Sequence, residues 1–194
     1  MARRKDHSRE ELTQLALNAG RELVMAKGPS ALSARNVAKH IGYTPGTLYN
    51  LFDNIDGLAA AINTQNLENF AETIRIILNE EAKPKKRLKK IAQAYLDFQT
   101  SEPHLWALLF ATPIQHQSES YHCAIHLVFD QVTAVMKQLG YSKKTSRQNA
   151  KILWSTLHGV CLLRSSGKLD VSEVDTSQEL VERFLNQYFK SSLT

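Results

Sequence analysis

Residues 33 to 52, SARNVAKHIGYTPGTLYNLF, include the hydroxyl side chains Ser33, Thr44, Thr47 and Tyr49, together with Arg35 and Asn50. Ser33 and Thr44 each precede a short run of helical apolar spacing, the place where a helix leaves its first N–H groups unpaired. Hydroxyls and helix N-termini suit phosphate oxygens, while Arg and Asn side chains suit base edges. Thr44, Pro45, Gly46 and Thr47 are small and open a short helix, so its backbone can come close inside a major groove. The chemistry of this set is non-covalent recognition of a polyanion. No Gly-rich phosphate loop, convincing Ser-His-Asp or Cys-His set, or paired metal motif occurs elsewhere, so neither an enzyme nor a cofactor is expected.

The elements that must position these groups can be read from punctuation and period. Leu12, Leu15, Ala16, Ala19 and Leu23 recur at three- and four-residue steps and predict one face of a helix from Arg9 to Lys27, ended by Gly28 and Pro29. Ser33 caps a second short helix with Val37, Ala38 and Ile41 turned inward, and Gly42 breaks it. Thr44 as N-cap and Pro45 as first residue launch a third helix through Phe52, held by Leu48 and Phe52 against Val37 and Ile41. Tyr49 and Asn50 then lie on its exposed face.

Beyond Phe52 the pattern stays helical. Asp53 and Asn54 are candidate caps for a helix from about Asp56 to Glu81, and Pro84 separates it from one near Lys85 to Thr100. Pro103 and Pro113 bracket a short apolar helix containing Leu105, Trp106, Leu109 and Phe110. Further helices are expected from about Glu119 to Leu139, Lys143 to Arg164 and Ser177 to Lys190. The expected fold is all-α with about nine helices: a helix-turn-helix domain over residues 1 to 55 and a helical body over 56 to 194.

Charge supports a polyanion partner. Residues 1 to 52 hold eight bases against four acids, so +4 of the chain's net +5 lies in its first quarter. No run approaches the roughly 18 apolar residues of a membrane span, and MARRKDHSREEL shows no signal-peptide apolar segment. A cytoplasmic protein with no membrane partner is expected. Cys123 and Cys161 have no CxxC spacing and read as ordinary buried residues. His122 and His126, one turn apart around Cys123, lack a third ligand, so no metal site is expected. The bases Lys83, Lys85, Lys86, Arg87, Lys89 and Lys90 read either as a solvated helix start or as contacts to DNA flanks or anionic lipid.

The 33 to 52 stretch resembles the helix-turn-helix of the TetR family of one-component bacterial regulators, including its GxxPGTLYxxF core at Gly42, Pro45, Gly46, Thr47, Leu48, Tyr49 and Phe52. The resemblance implies phosphate contacts from Ser33 and Thr47, a phosphate or thymine contact from Tyr49, and base-side contacts from Arg35, Gly46 and Asn50. Thr44 and Pro45 belong to the same DNA-binding set. Leu51 and Ile55 depart from the pattern, standing where the family places a polar residue and a phosphate-binding lysine; the Arg3, Arg4 and Lys5 arm is a candidate compensation.

A second resemblance lies at residues 154 to 160, WSTLHGV, which is similar to the tryptophan-histidine-glycine signature of one group of TetR-type C-terminal domains. Trp154, Leu157, His158 and Cys161 share a helical face toward a pocket or the core, and Gly159 would admit a neighbouring helix. His158 is either a ligand donor or a hydrogen-bonded structural histidine. Family likeness implies a pocket walled by Phe70, Phe98, Trp106, Phe110 and Trp154, for which an apolar or aromatic small molecule is the better guess. The last two helices carry Leu153, Leu157, Val160 and Leu163, then Leu180, Val181, Phe184, Leu185, Tyr188 and Phe189. In the resembled family they form a four-helix homodimer interface, which sets two reading heads about one DNA turn apart on a palindromic operator. The implied function is a repressor released by its effector. A DNA-binding architectural or protein-interaction regulator without a small-molecule ligand is the alternative, and a solid core would favour it.

Overall fold

The computed structural model describes residues 7–112, 118–169 and 175–189. The expected positions Arg3, Arg4, Lys5 and Pro113 lie outside them. The helices are α1 (Arg9–Lys27), α2 (Ala34–Ile41), α3 (Pro45–Phe52), α4 (Ile55–Glu80), α5 (Pro84–Ser101), α6 (Pro103–Ala111), α7 (Glu119–Gln138), α8 (Lys143–Ser165) and α9 (Ser177–Tyr188), with a single 3₁₀ turn at Pro29–Ala31. No strand occurs among the described residues. The chain forms two compact units, Met1–Leu67 with Glu102–Cys123, and Glu68–Ser101 with Ala124–Thr194.

Local chemistry sets the helix ends. The Ser8 hydroxyl accepts from the Glu11 N–H at 3.2 Å, and the Glu11 carboxylate accepts from the Ser8 N–H at 2.8 Å. This capping box also holds the Glu11 carboxyl below its ordinary pKa, chiefly through the Ser8 backbone bond. Thr176 and Glu179 form a second capping box at α9, while the Ser33 and Ser142 hydroxyls each accept one N–H at the starts of α2 and α8. Gly42 ends α2 in the left-handed conformation, φ 77° and ψ 28°, which only glycine enters without a Cβ penalty. Thr44 precedes α3 in extended backbone, but its hydroxyl caps no N–H; it lies 3.2 Å from the Thr47 hydroxyl.

In the first unit α1 to α3 pack with the first half of α4 and with α6. Ala16, Val24, Val37, Ala38, Leu48, Leu58, Ile62, Leu105 and Leu108 form its buried core. The buried face of α1 is Ala16, Leu17, Ala19, Gly20 and Val24, so the expected inward Leu15 is corrected: it is exposed. Gly20 lies on that buried face, and a Cβ there would come within 2.9 Å of the end of Ile62, so α1 and α4 approach closely at this point. The start of α6 is tied to α1 by an ion pair, Arg21 to Glu102 at 3.0 Å, and His104 Nδ1 lies 2.8 Å from the Met25 carbonyl oxygen.

α3 and α4 are joined by only Asp53 and Asn54. Asp53 sits at φ 60°, the one non-glycine residue with positive φ among those described. The Asn54 side-chain oxygen accepts from the Gly57 N–H at 2.8 Å, capping α4. Gly57 then passes against the Phe52 carbonyl so closely that a Cβ would overlap the oxygen.

In the second unit α5, α8 and α9 pack on one another over Leu88, Ile91, Leu96, Leu153, Leu157, Cys161, Val181 and Leu185. Arg87 is a structural member of the basic run: its guanidinium donates to the Leu78 carbonyl at 2.8 Å, to the Glu81 carbonyl, and to Gln138 at 2.7 Å. It thereby satisfies carbonyls at the end of α4. Leu153 and Leu157, expected to face a partner, are buried in their own unit, whereas Ile152, Leu162 and Leu163 on α8 are exposed. Among the described residues none comes within 4 Å of where a Cβ on Gly159 would stand. Cys161 is buried, and burial pushes its thiol up to about 11; Cys123, expected to be buried, is exposed.

Candidate DNA-reading face and effector residues

The helix-turn-helix is built from buried anchors beneath exposed polar groups. Val37, Ala38 and Leu48 are the buried contacts of α2 and α3; Ile41 and Phe52 are half-buried. On the outer side Arg35, Thr44, Pro45, Gly46, Tyr49 and Asn50 are exposed, and Ser33 and Thr47 are half-buried. The structure thus brings all eight expected residues to the first turns of α2 and along α3. Tyr49 is 50% exposed although it neighbours Leu48 at 3%, so α3 separates a wet edge from a dry one within one residue.

The Ser33 hydroxyl is already used, accepting from the Asn36 N–H at 3.2 Å, which fixes the N-terminus of α2. The Thr44 and Thr47 hydroxyls satisfy each other and retain further donor and acceptor capacity. Arg35 and Lys39 are exposed bases on α2, while His40 faces Glu22 at 3.2 Å. Two positions were not legible beforehand. The Arg9 guanidinium donates to the Asn50 carbonyl at 3.2 Å, and the Tyr43 hydroxyl lies 2.8 Å from His7 Nδ1. Both tie the start of α1 to the helix-turn-helix, and separations of 41 and 36 residues leave no periodic trace.

Gly46 lies in the first turn of α3, and a Cβ added there meets nothing closer than Thr44 Oγ1 at 3.8 Å. The fold itself therefore has room for alanine. Gly46→Ala is expected to raise stability by about 0.5–1 kcal/mol, through higher helix propensity and a less flexible unfolded chain. The same variant should weaken operator binding at least tenfold, because the methyl group stands on the exposed edge. Thermal melting and an operator titration on the same preparation measure the two opposite signs.

Four of the six expected effector residues lie in the second unit and form one run of rings. Phe70 meets Tyr95 edge-on at 5.9 Å and stacks with Phe98 at 6.4 Å. The Tyr95 hydroxyl lies 3.4 Å from His158 Nδ1, and His158 stacks on Trp154 at 6.1 Å. Phe129 closes on Trp154 edge-on at 5.9 Å. Tyr95 and Phe129 are the members that sequence reasoning missed. The other two, Trp106 and Phe110, lie in the first unit with ring centroids 5.1 Å apart, Trp106 buried and Phe110 exposed. A separate groove of about 190 Å³ between α5 and α9 has Lys89, Lys90, Glu182, Leu96 and Val181 in its lining.

Burial lowers the His158 pKa, so the ring stays neutral where an unfolded histidine would take up a proton. The unfolded chain binds more protons below its pKa of about 6.5, so this residue makes stability fall as pH drops below that value toward the lower folded pKa. His158→Gln is expected to lose less stability than the parent between pH 7.5 and 5.5, read by urea melts at both.

Among the described residues no group of three or more His, Cys, Asp or Glu is placed to hold a metal ion. No described helix is long and apolar enough to cross a membrane.

Comparison with known families assigns both parts of the chain. Residues 16–62 match the family described as bacterial regulatory proteins, tetR family. Residues 88–188, more than half of the chain, match the tetracyclin repressor-like C-terminal domain. The chain belongs to the TetR family. As a TetR-family protein it is a DNA-binding transcriptional regulator and not an enzyme. It is 23% identical over 185 residues to an uncharacterized HTH-type transcriptional regulator of Mycobacterium tuberculosis, covering 95% of this chain and 82% of that protein. It is 25% identical over 145 residues to the nucleoid occlusion factor SlmA of Vibrio atlanticus, covering 73% and 70%. A solved structure of a protein of unknown function from Rhodococcus sp. RHA1 has the same fold, with a TM-score of 0.77 at 18% identity over 97% of each chain. Within this TetR-family chain the departures Leu51 and Ile55 are both half-buried, where α3 ends and α4 begins.

Proposed function

We propose that the protein is a homodimeric repressor that reads a palindromic operator and leaves it when a small apolar or aromatic effector binds. Residues 1 to 55 carry the reading and residues 56 to 194 the effector response and dimerisation. The observation that carries the reading is the exposed edge of α3: Thr44, Pro45, Gly46, Tyr49 and Asn50 face outward over a buried Leu48, and Gly46 is a gap that the fold does not need. Ser33, Thr47 and Tyr49 contact phosphates or a thymine, and Arg35, Gly46 and Asn50 approach base edges. The homodimer forms on the outward faces of α8 and α9, where Ile152, Leu162, Leu163 and Tyr188 are exposed beside the uncovered Gly159.

Selection from a randomised duplex library at two salt concentrations tests this, with Thr47→Ala and Tyr49→Ala as controls. Emergence of one palindromic site, lost in the variants and weakened by salt, is the expected result. Sequence-independent binding that ignores both variants would remove the reading.

A second reading treats the protein as a DNA-binding regulator that acts through protein contacts without a small-molecule ligand. The match to a relative named for nucleoid occlusion favours it. It predicts an operator complex indifferent to every small molecule tried.

A further inference from the structure

Two buried amides on α4 are half-used. Asn63 is fully buried, and its Nδ2 donates to the Leu108 carbonyl at 3.2 Å and to Thr112 Oγ1 at 3.0 Å. A carbonyl only accepts, so the amide nitrogen must face it, and Oδ1 points elsewhere with no hydrogen-bond partner. Asn66 is 4% exposed, and its Oδ1 accepts from Arg21. A guanidinium only donates, so this amide too has one possible orientation, and its Nδ2 has no partner. One acceptor and one donor are thus left open three residues apart on one side of α4, inside the first unit. An orphaned polar atom in the interior is costly, and two of opposite kind on adjacent turns call for one occupant that donates and accepts at once.

Charge narrows the class. Arg21, the cation beside Asn66, is already paired with Glu102 at 3.0 Å, so a carboxylate would meet no free positive charge. A neutral hydroxyl or amide fits both open atoms. Buried Trp106 lies in the same unit, on α6 between Glu102 and Leu108 in the chain, and supplies a ring whose fluorescence can report on this interior.

We infer that Asn63 and Asn66 form a receptor in the first unit for a neutral hydroxyl or primary amide group on a small, otherwise apolar molecule. The inference rests on the effector reading above and adds the polar end group that the effector must carry.

The test uses the full chain with Trp154→Phe, which leaves Trp106 as the sole tryptophan. Four probes share one ring and differ in their end group: benzamide, benzyl alcohol, benzoate and toluene. Benzamide and benzyl alcohol are expected to change Trp106 fluorescence with at least tenfold lower dissociation constants than toluene and benzoate. Asn63→Leu and Asn66→Leu should each abolish that preference. Asn63→Leu should not lower the melting temperature, because Thr112 Oγ1 still donates to the Leu108 carbonyl at 2.9 Å. Equal binding of all four probes, binding of none, or a preference that survives both variants would overturn the receptor and leave the two amides to bridging water. An operator complex unmoved by a bound benzamide would instead remove the effector reading and leave the receptor standing.

Discussion

Gly57→Ala is expected to cost about 3 kcal/mol of stability and to abolish operator binding with it. The added Cβ would overlap the Phe52 carbonyl oxygen, and that neighbour is backbone, which cannot swing aside as a side chain can. Relief requires moving α3 away from α4, which opens the bond from the Gly57 N–H to Asn54 and disturbs the caps on which both helices depend. In a chain of this size a loss of about 3 kcal/mol corresponds to roughly 6–12 °C in melting temperature, measurable by circular dichroism. The contrast with Gly46→Ala is the control. Both exchange a helical glycine for alanine, yet propensity decides at the open site and backbone overlap decides at the crowded one. An unchanged melting temperature for Gly57→Ala would mean that the joint yields at no cost.

The double variant Leu162→Glu with Leu163→Glu is expected to convert the dimer to monomers. Both side chains are exposed on α8, so charge there leaves the unit's own core of Leu153, Leu157 and Cys161 intact. In a twofold interface each substitution occurs twice and sets like charges near the axis. Four leucines at about 1.5 kcal/mol each amount to about 6 kcal/mol, some four powers of ten in the dimer dissociation constant. Sedimentation of the variant at micromolar concentration should show one folded monomer, and operator affinity should fall to that of a half-site. A variant that still sediments as the parent dimer would move the interface off this face of α8.

Helix positions were legible because their causes are local: Ser33 as a cap, Pro45 as a first residue, Gly42 as a stop, and Pro84 and Pro103 as breaks between helices. The eight residues proposed to face DNA could be named for the same reason, since they lie within eighteen residues of one another. Which apolar stripe of a helix faces its own core was not. α8 carries two, Leu153-Leu157-Cys161 and Ile152-Leu162-Leu163, and period alone does not rank them. Leu15 failed similarly, because the face that α1 buries depends on neighbours distant in sequence, such as Ile62 against Gly20, forty-two residues on. Pairs such as Arg21 with Glu102, Asn63 with Thr112 and Tyr95 with His158 are 49 to 81 residues apart, and nothing local in either partner announces the other.

The joint between α3 and α4 also has a mechanical meaning. Two residues, one held at a left-handed φ and the other locked as a cap, leave almost no compliance between the reading helix and the start of α4. An eight-residue helix is about 12 Å long, so a tilt of about 10° transmitted without slack displaces its far end by about 2 Å. Hydrogen bonds to DNA tolerate only a few tenths of an ångström. For the effector-released repressor proposed above, gearing this stiff would make the response close to all-or-none at the operator, even when the motion that drives it is small.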